Sequence, residues 1–262
     1  MPSIRKIISA IETLAPPEIQ EKWDNTGWQV RTQTPDTECT GVLVCLDVSP
    51  AIVEEAVGLG ANLIISHHPI IFKGVSHITG ETKTERVILD AIRNGISIYS
   101  SHTALDSAPR GINARLAGML GLTDTEVLDP AAGPETGLGR IGNLPQPMSE
   151  DDFVALVRDR LDASWLRVTP GTGRLVRRVA LCGGSGSEFI ADAIRRGADA
   201  YVTSDTRYHP LIDFGREILI VDTCHFESEK CAKSIFSEEI SEKFPNFAVY
   251  MSAREKSPVV IR

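Results

Sequence analysis

Nowhere in the 262 residues does an apolar run approach the roughly 18 needed to cross a bilayer, which excludes a membrane-spanning helix. The opening stretch MPSIRKIISAIETLAPP sets Ile4, Ile7, Ile8, Ile11 and Leu14 at helical spacing. Glu12 breaks any signal-like apolar stretch there, so the pattern predicts a soluble amphipathic helix. Cysteine is scarce: Cys39, Cys45, Cys182, Cys224 and Cys231 are odd in number and form no CxxC. That fits free thiols in a reducing compartment better than a disulfide framework and predicts a cytoplasmic protein. Basic charge is in deficit, with 27 Lys and Arg against 35 Asp and Glu and a net charge of -8. Such a balance argues against coating nucleic acid or an anionic membrane through bulk charge. No GxSxG nucleophile elbow is present, and CGGSGSE around Ser185 lacks a P-loop lysine and the GxGxxG spacing. What remains is ordinary globular composition, 42% hydrophobic and 24% charged. The length suits one large domain or two of about 130 residues.

An internal repeat favours two. Residues 41–68 read GVLVCLDVSPAIVEEAVGLGANLIISHH, and residues 178–205 read RVALCGGSGSEFIADAIRRGADAYVTSD. An offset of 137 aligns them without a gap, matching Cys45 with Cys182, Ala56 with Ala193, Gly60 with Gly197 and Ala61 with Ala198. Each copy has an apolar run, a turn, an amphipathic helix ending near Gly, and a second apolar run. That is a β-α-β unit with parallel strands. A third strand is predicted in each half, over 96–101 and 218–223. Between His68 and His102 lie 33 residues, but only 19 lie between Asp205 and His225, and the surplus of 14 fits a surface excursion around FKGVSHITGETKTE. The Pro- and Gly-rich stretch 128–147 reads as the connection, although IGNL within it has the make-up of a short strand. The expected layout is a first α/β domain over 1–127, a connecting segment over 128–147, and a second α/β domain over 148–262.

Parallel α/β sheets bind ligands outside the carboxyl ends of their strands. LIISHHP ends one strand at His67 and His68, and IYSSHTALD ends another near His102 and Asp106. LIVDTCHFESE ends a third at Asp222, His225 and Glu229, and YVTSDTRYH a fourth at Asp205 and His209. Only His77, in the excursion, lies elsewhere. Imidazole and carboxylate together suit zinc, iron, manganese, cobalt or nickel. His225 and Glu229, four apart, share one face of a helix. Adjacent His67 and His68 would point oppositely in a regular strand, so both reach one site only if the strand has ended, as Pro69 suggests. Such a pair suits two metals. A bridging carboxylate would spread their charge, and an activated water would be the nucleophile. Cys224 and Cys231 read as core packing.

At these residues the sequence resembles the NIF-three-like family (NGG-interacting factor three), whose members are described as GTP cyclohydrolase 1 type 2 homologues. The likeness runs over nearly the whole chain, through WDNTGWQV at 23–30, SHHPIIF at 66–72, SHTALD at 101–106 and GINARLAGMLGL at 111–122. It continues through CGGSGSEFI at 182–190, SDTRYH at 204–209 and HFESE at 225–229. The resemblance implies two similar α/β domains with a metal site in the cleft between them, in a subunit of a ring-shaped homohexamer. It implies two divalent ions per subunit: His67 and His225 on one, His68 and Asp106 on the other, and Glu229 bridging. His102, Asp205 and His209 would stand behind the ligands or face a substrate, and the turn carrying Asn25 would approach the site. Ser204, Cys224 and Trp28 stand where the family commonly has Gly, Gly and Leu, which bears on pocket shape. Two functions follow. One is a metal-dependent hydrolase of a nucleotide or related small molecule; the other is a non-catalytic metal-binding or scaffold protein.

Overall fold

Helix α1 (Ile4–Leu14) opens the chain and buries Ile4, Ile7, Ile8, Ile11 and Leu14, the stripe that the spacing predicts. The computed structural model describes residues 1–131 and 133–259. The chain then forms β1 (Gly27–Val30), β2 (Val42–Cys45), α2 (Pro50–Leu59), β3 (Leu63–Ser66), α3 (Lys83–Arg93) and β4 (Ser97–Ser100). Local chemistry fixes the ends of α2. The Ser49 hydroxyl accepts from the Ile52 amide, Pro50 occupies the first turn, and Gly60 adopts the left-handed cap at φ 68°. The excursion beyond β3 is tied down by Glu85 in the first turn of α3, whose carboxylate accepts from the Thr79 amide and hydroxyl and from the amides of Gly80 and Glu81.

Short α4 (Thr103–Ser107) leads on to α5 (Ile112–Met119), β5 (Thr123–Pro130), β6 (Gly137–Met148), α6 (Glu150–Leu161), β7 (Leu166–Val168) and β8 (Val176–Ser185). There follow α7 (Ile190–Arg195), β9 (Ala200–Ser204), α8 (Tyr208–Phe214), β10 (Leu219–Thr223), α9 (His225–Glu229), α10 (Ala232–Lys243) and β11 (Val249–Met251). Among the described residues, no helix is long and apolar enough to cross a membrane.

Two compact α/β units result. The first comprises residues 1–105 and 232–256, the second residues 106–231 with 257–259. In the first, the sheet order is β1-β4-β3-β2-β11, with β2, β3, β4 and β11 parallel and β1 antiparallel to β4. Its core gathers Leu43, Ile52, Val53, Ile64, Val87 and Ile98. In the second, the order is β5-β6-β8-β9-β10-β7, with β8, β9 and β10 parallel. Its core gathers Ile141, Ala180, Ile190, Ala193, Tyr201 and Ile220.

The repeat holds at the level of strand register. Val42 pairs with Leu63 in one unit and Val179 with Ala200 in the other, each residue displaced by 137. The third strands β4 and β10 complete the correspondence, and α3 occupies the longer crossover of the first unit.

The expected boundaries need correction. The presumed connector 128–147 holds the end of β5 and most of β6, which is hydrogen-bonded to β5 and β8. Its glycines serve close approach: a Cβ on Gly139 would meet the Leu181 carbonyl oxygen at 2.7 Å, and one on Gly142 the Thr123 oxygen at 2.8 Å. Nor does the second domain run to the end of the chain. Residues 232–256 return to the first unit, where α10 packs on α1 and β11 adds to β2.

Candidate metal centre

In the first unit the chemistry gathers at the carboxyl ends of β2, β3 and β4. The amides of His67 and His68 donate to the carbonyls of Cys45 and Leu46 respectively, both on the β2 side. Consecutive amides in a regular strand alternate between neighbours, so the pleat has broken here. The break lets both imidazoles fall on one side. Their ring centres are 4.9 Å apart, and His102 joins them at 5.2 and 5.4 Å. One ligand nitrogen from each of the three lies within 4.8 Å of the other two.

Each of these rings has an oxygen near Nδ1, a hydrogen-bond partner for His67 and His102 and an ion-pair partner for His68. The Nδ1 of His67, fully buried, is 3.0 Å from the Ser101 carbonyl oxygen, which can only accept. In His68 it lies 3.2 Å from Asp47 Oδ1, and in His102 2.7 Å from Asp24 Oδ1. An Nδ1–H donating to oxygen leaves the lone pair on Nε2, the arrangement that metal-binding histidines share. Asp24 also accepts from the Thr103 amide and hydroxyl, capping α4, and from its neighbour Asn25. Burial alone would raise its carboxyl, but the His102 ring, then Thr103 and the Asn25 amide, hold it well below the usual carboxylate range. Trp23 and Phe72 meet the His102 ring edge-on at 6.0 and 6.3 Å.

The second unit repeats the theme with carboxylates. His225 Nδ1 is 2.7 Å from Asp205 Oδ2, and its Nε2 is 2.8 Å from Glu229 Oε2, one helical turn along α9. A neutral imidazole has one donor nitrogen, so two carboxylates on one ring call for an added proton or a shared cation. Asp106 and Glu229 are both buried, and their ligand oxygens lie within 4.8 Å of one another. Buried carboxylates so close repel unless a cation or proton sits with them. This donor set of imidazole nitrogens and carboxylate oxygens fits divalent metal ions. Gly184, at φ 64°, makes room: a Cβ there would overlap Glu229 Oε1 and stand 3.4 Å from His225 Cε1. Ser228 ties the neighbourhood together, bonding Ser204 Oγ, the Gly184 amide and the His225 carbonyl.

The sequence-derived residues thus fall into two sets. His67, His68 and His102 meet in the first unit; Asp106, Asp205, His225 and Glu229 belong to the second. His102 has the make-up of a ligand in its own right, beyond the supporting place that the resemblance gives it. His209 lines an open cavity of about 550 Å³ with Asp205, Arg207, Ser185 and Glu188. Asp222 grips the turn after Asp205 instead of joining the cluster, accepting from the Thr206 amide and from Arg167. Asn25 donates to the Ile71 carbonyl, and it is its neighbour Asp24 that reaches a histidine. Nothing in the sequence marks Asp24 or Asp47: Asp24 precedes β1, and Asp47, although it follows β2, has no histidine beside it in the chain. Glu227 is buried, and its carboxylate acts on the Cys224 thiol. Burial, then Asp106, Glu188 and Glu229, push the Cys182 thiol well up, and burial followed by Glu229 pushes Cys231 up to about 12. Such thiols are inert packing groups. Of the departures from the family pattern, Trp28 packs edge-on against Tyr99, Ser204 bonds Ser228, and Cys224 lies 3.7 Å from Ser257 Oγ.

Comparison with known proteins shows the family and the fold. The model of the Duf34/NIF3 (NGG1p interacting factor 3) family matches residues 2–258. A Clostridium perfringens protein named GTP cyclohydrolase 1 type 2 homolog is 33% identical over 254 residues, covering 96% of each chain. A Streptomyces coelicolor protein of the same name is 35% identical over 236 residues, 87% of this chain and 82% of that one. The crystal structure of a Bacillus cereus protein related to NIF3 superposes with a TM-score of 0.90 at 26% identity, covering 100% of this chain and 99% of that one.

Proposed function

The chain belongs to the Duf34/NIF3 family, and from that premise we propose that it binds two divalent metal ions and hydrolyses a nucleotide or related small molecule. One observation carries the metal reading. In His67, His68, His102 and His225 the Nδ1 atom rests on an oxygen, a carbonyl in the first and a carboxylate in the others. Four rings so disposed present four Nε2 atoms as prospective ligands. In the proposed centre His67 and His225 would hold one ion, His68 and Asp106 would hold the other, and Glu229 would supply a carboxylate shared by both. His102 adds a further nitrogen. Bound there, the ions would supply Lewis-acid chemistry and activate water. Asp24, Asp47 and Asp205 orient the rings, and Asp205 with His209 faces the substrate. The name carried by the relatives directs the substrate search to GTP. Five or six protein ligands shared by two ions leave coordination positions open, which favours catalysis over a closed structural site.

Elemental analysis of the purified protein tests the centre, followed by a hydrolysis screen of the wild type beside Asp106→Ala. Two ions per subunit and a hydrolysis lost in the variant are expected; a protein that retains no divalent metal would overturn the reading. The assembly proposed is a closed homohexamer. Light scattering that finds only monomer at micromolar concentration would refute it.

A further inference from the structure

Residues 252–255, beyond β11, run close to the end of β2. The Ser252 amide donates to the Val44 carbonyl at 2.9 Å. Glu55 on α2 anchors the segment, accepting from the Ser252 hydroxyl at 2.6 Å and the Ala253 amide at 2.9 Å. These contacts deliver Glu255, whose side chain is only 6% exposed. Its carboxylate takes the Leu46 amide on both oxygens, at 2.9 and 3.0 Å, and the Asp47 amide at 2.6 Å. Lys233 on α10 faces it at 3.1 Å, so the buried negative charge has a counter-ion.

The two residues held in this way are the two that hold His68. The Leu46 carbonyl accepts the His68 amide at 2.9 Å, and Asp47 Oδ1 lies 3.2 Å from His68 Nδ1. Asp47 is itself half exposed. A charged acceptor on two successive amides fixes the backbone that carries the Asp47 side chain.

We propose that Glu255 is a positioning residue for His68: by gripping the Leu46 and Asp47 amides it sets Asp47 to accept from His68 Nδ1, and so keeps the lone pair of His68 on Nε2. The returning segment 232–256 thereby helps to build a ligand that lies more than 160 residues earlier in the chain. The tautomer half of this inference stands on geometry within the first unit; the metal half rests on the function proposed above.

The test uses full-length protein. Nitrogen-15 spectra of the imidazole rings in metal-free wild type, with His68 assigned through His68→Gln, should show His68 protonated at Nδ1. Glu255→Ala should convert that signal to a mixture of tautomers, while Glu255→Gln, which keeps one carbonyl oxygen, should largely restore it. Zinc titration should show Glu255→Ala binding about tenfold more weakly, the low end of what loss of an outer partner does to a metal site. Glu255→Ala combined with Asp47→Asn should bind no more weakly than Asp47→Asn alone, because both act through one contact. If Glu255→Ala does not fold, Glu255→Asp, charged but too short to reach both amides, is read in the same way. An unchanged His68 signal in a folded variant, or additive losses in the double variant, would overturn the proposal. A ring signal that responds as expected in a protein that binds no zinc would uphold the positioning role and refute the metal reading instead.

Discussion

Gly184 is where a single methyl group should separate the proposed metal site from the fold. Its φ of 64° is left-handed, and an alanine held there costs about 1–2 kcal/mol. The added Cβ would also overlap Glu229 Oε1 and sit 3.1 Å from Glu229 Cδ. To regain ordinary contact of about 3.5 Å that carboxylate oxygen must retreat by well over an ångström. Such a retreat should disturb the 2.8 Å approach of its other oxygen to His225 Nε2. The backbone cost alone should lower the Tm of Gly184→Ala by about 2–8 °C. Gly60 provides the matched control, since its φ is 68° and a Cβ there meets nothing within 4 Å. Both variants should lose similar backbone stability. Only Gly184→Ala should lose bound metal, falling by at least one ion per subunit. Differential scanning calorimetry and elemental analysis of the pair supply the measurement. Gly184→Ala with the full metal content of the wild type would refute the claim that this glycine exists to admit the Glu229 carboxylate.

Three further outcomes are expected. Glu229→Gln should fold yet retain one ion or none by elemental analysis, whereas Glu242→Gln, exposed on α10, should retain both. Asp24→Asn should weaken metal binding by about 10–100-fold in a chelator competition, since His102 loses the carboxylate that fixes its tautomer. Glu85, held down at about 2 chiefly by the Thr79 hydroxyl and amide, should make the protein less stable as pH falls from about 4.5 towards 2. The sign follows from a depressed carboxyl, whose contribution is present above its unfolded value and lost through its folded one. A Tm-against-pH curve for Glu85→Gln should be flatter over that interval and lower at pH 7; curves that run parallel would refute it.

The fold was legible wherever one residue dictates local geometry. Ser49, Pro50 and Gly60 mark both ends of α2, and the apolar runs on either side carry the register that recurs 137 residues later. It was illegible where the same residue types do a different job. Glycine in 128–147 reads as loop, yet Gly139 and Gly142 sit in β6 because a neighbouring backbone comes too close for any side chain. The return of residues 232–256 to the first unit leaves no local mark at all. Strand β11 adds to the edge of a sheet begun some 200 residues earlier, and short-range pattern carries no information on that choice.

The site divides along the same line. Ligand candidates stand out because metal chemistry needs imidazoles and carboxylates at strand ends, and a strand end can be read from the apolar run before it. What orients them cannot be read in that way. Asp24 lies 78 positions from the His102 ring that it holds, and Glu255 lies 209 positions from the Leu46 amide that it grips. An acidic residue in a turn looks the same whether it faces water or a histidine, and only the folded chain brings the second partner. The distinction has a physical basis. A ligand is recognised by what it is, whereas an orienting residue is defined by the one atom it touches. Substitutions that preserve every strand-end histidine should therefore still disable the proposed centre, and Asp24, Asp47, Glu255 and Gly184 are the positions where that should happen first.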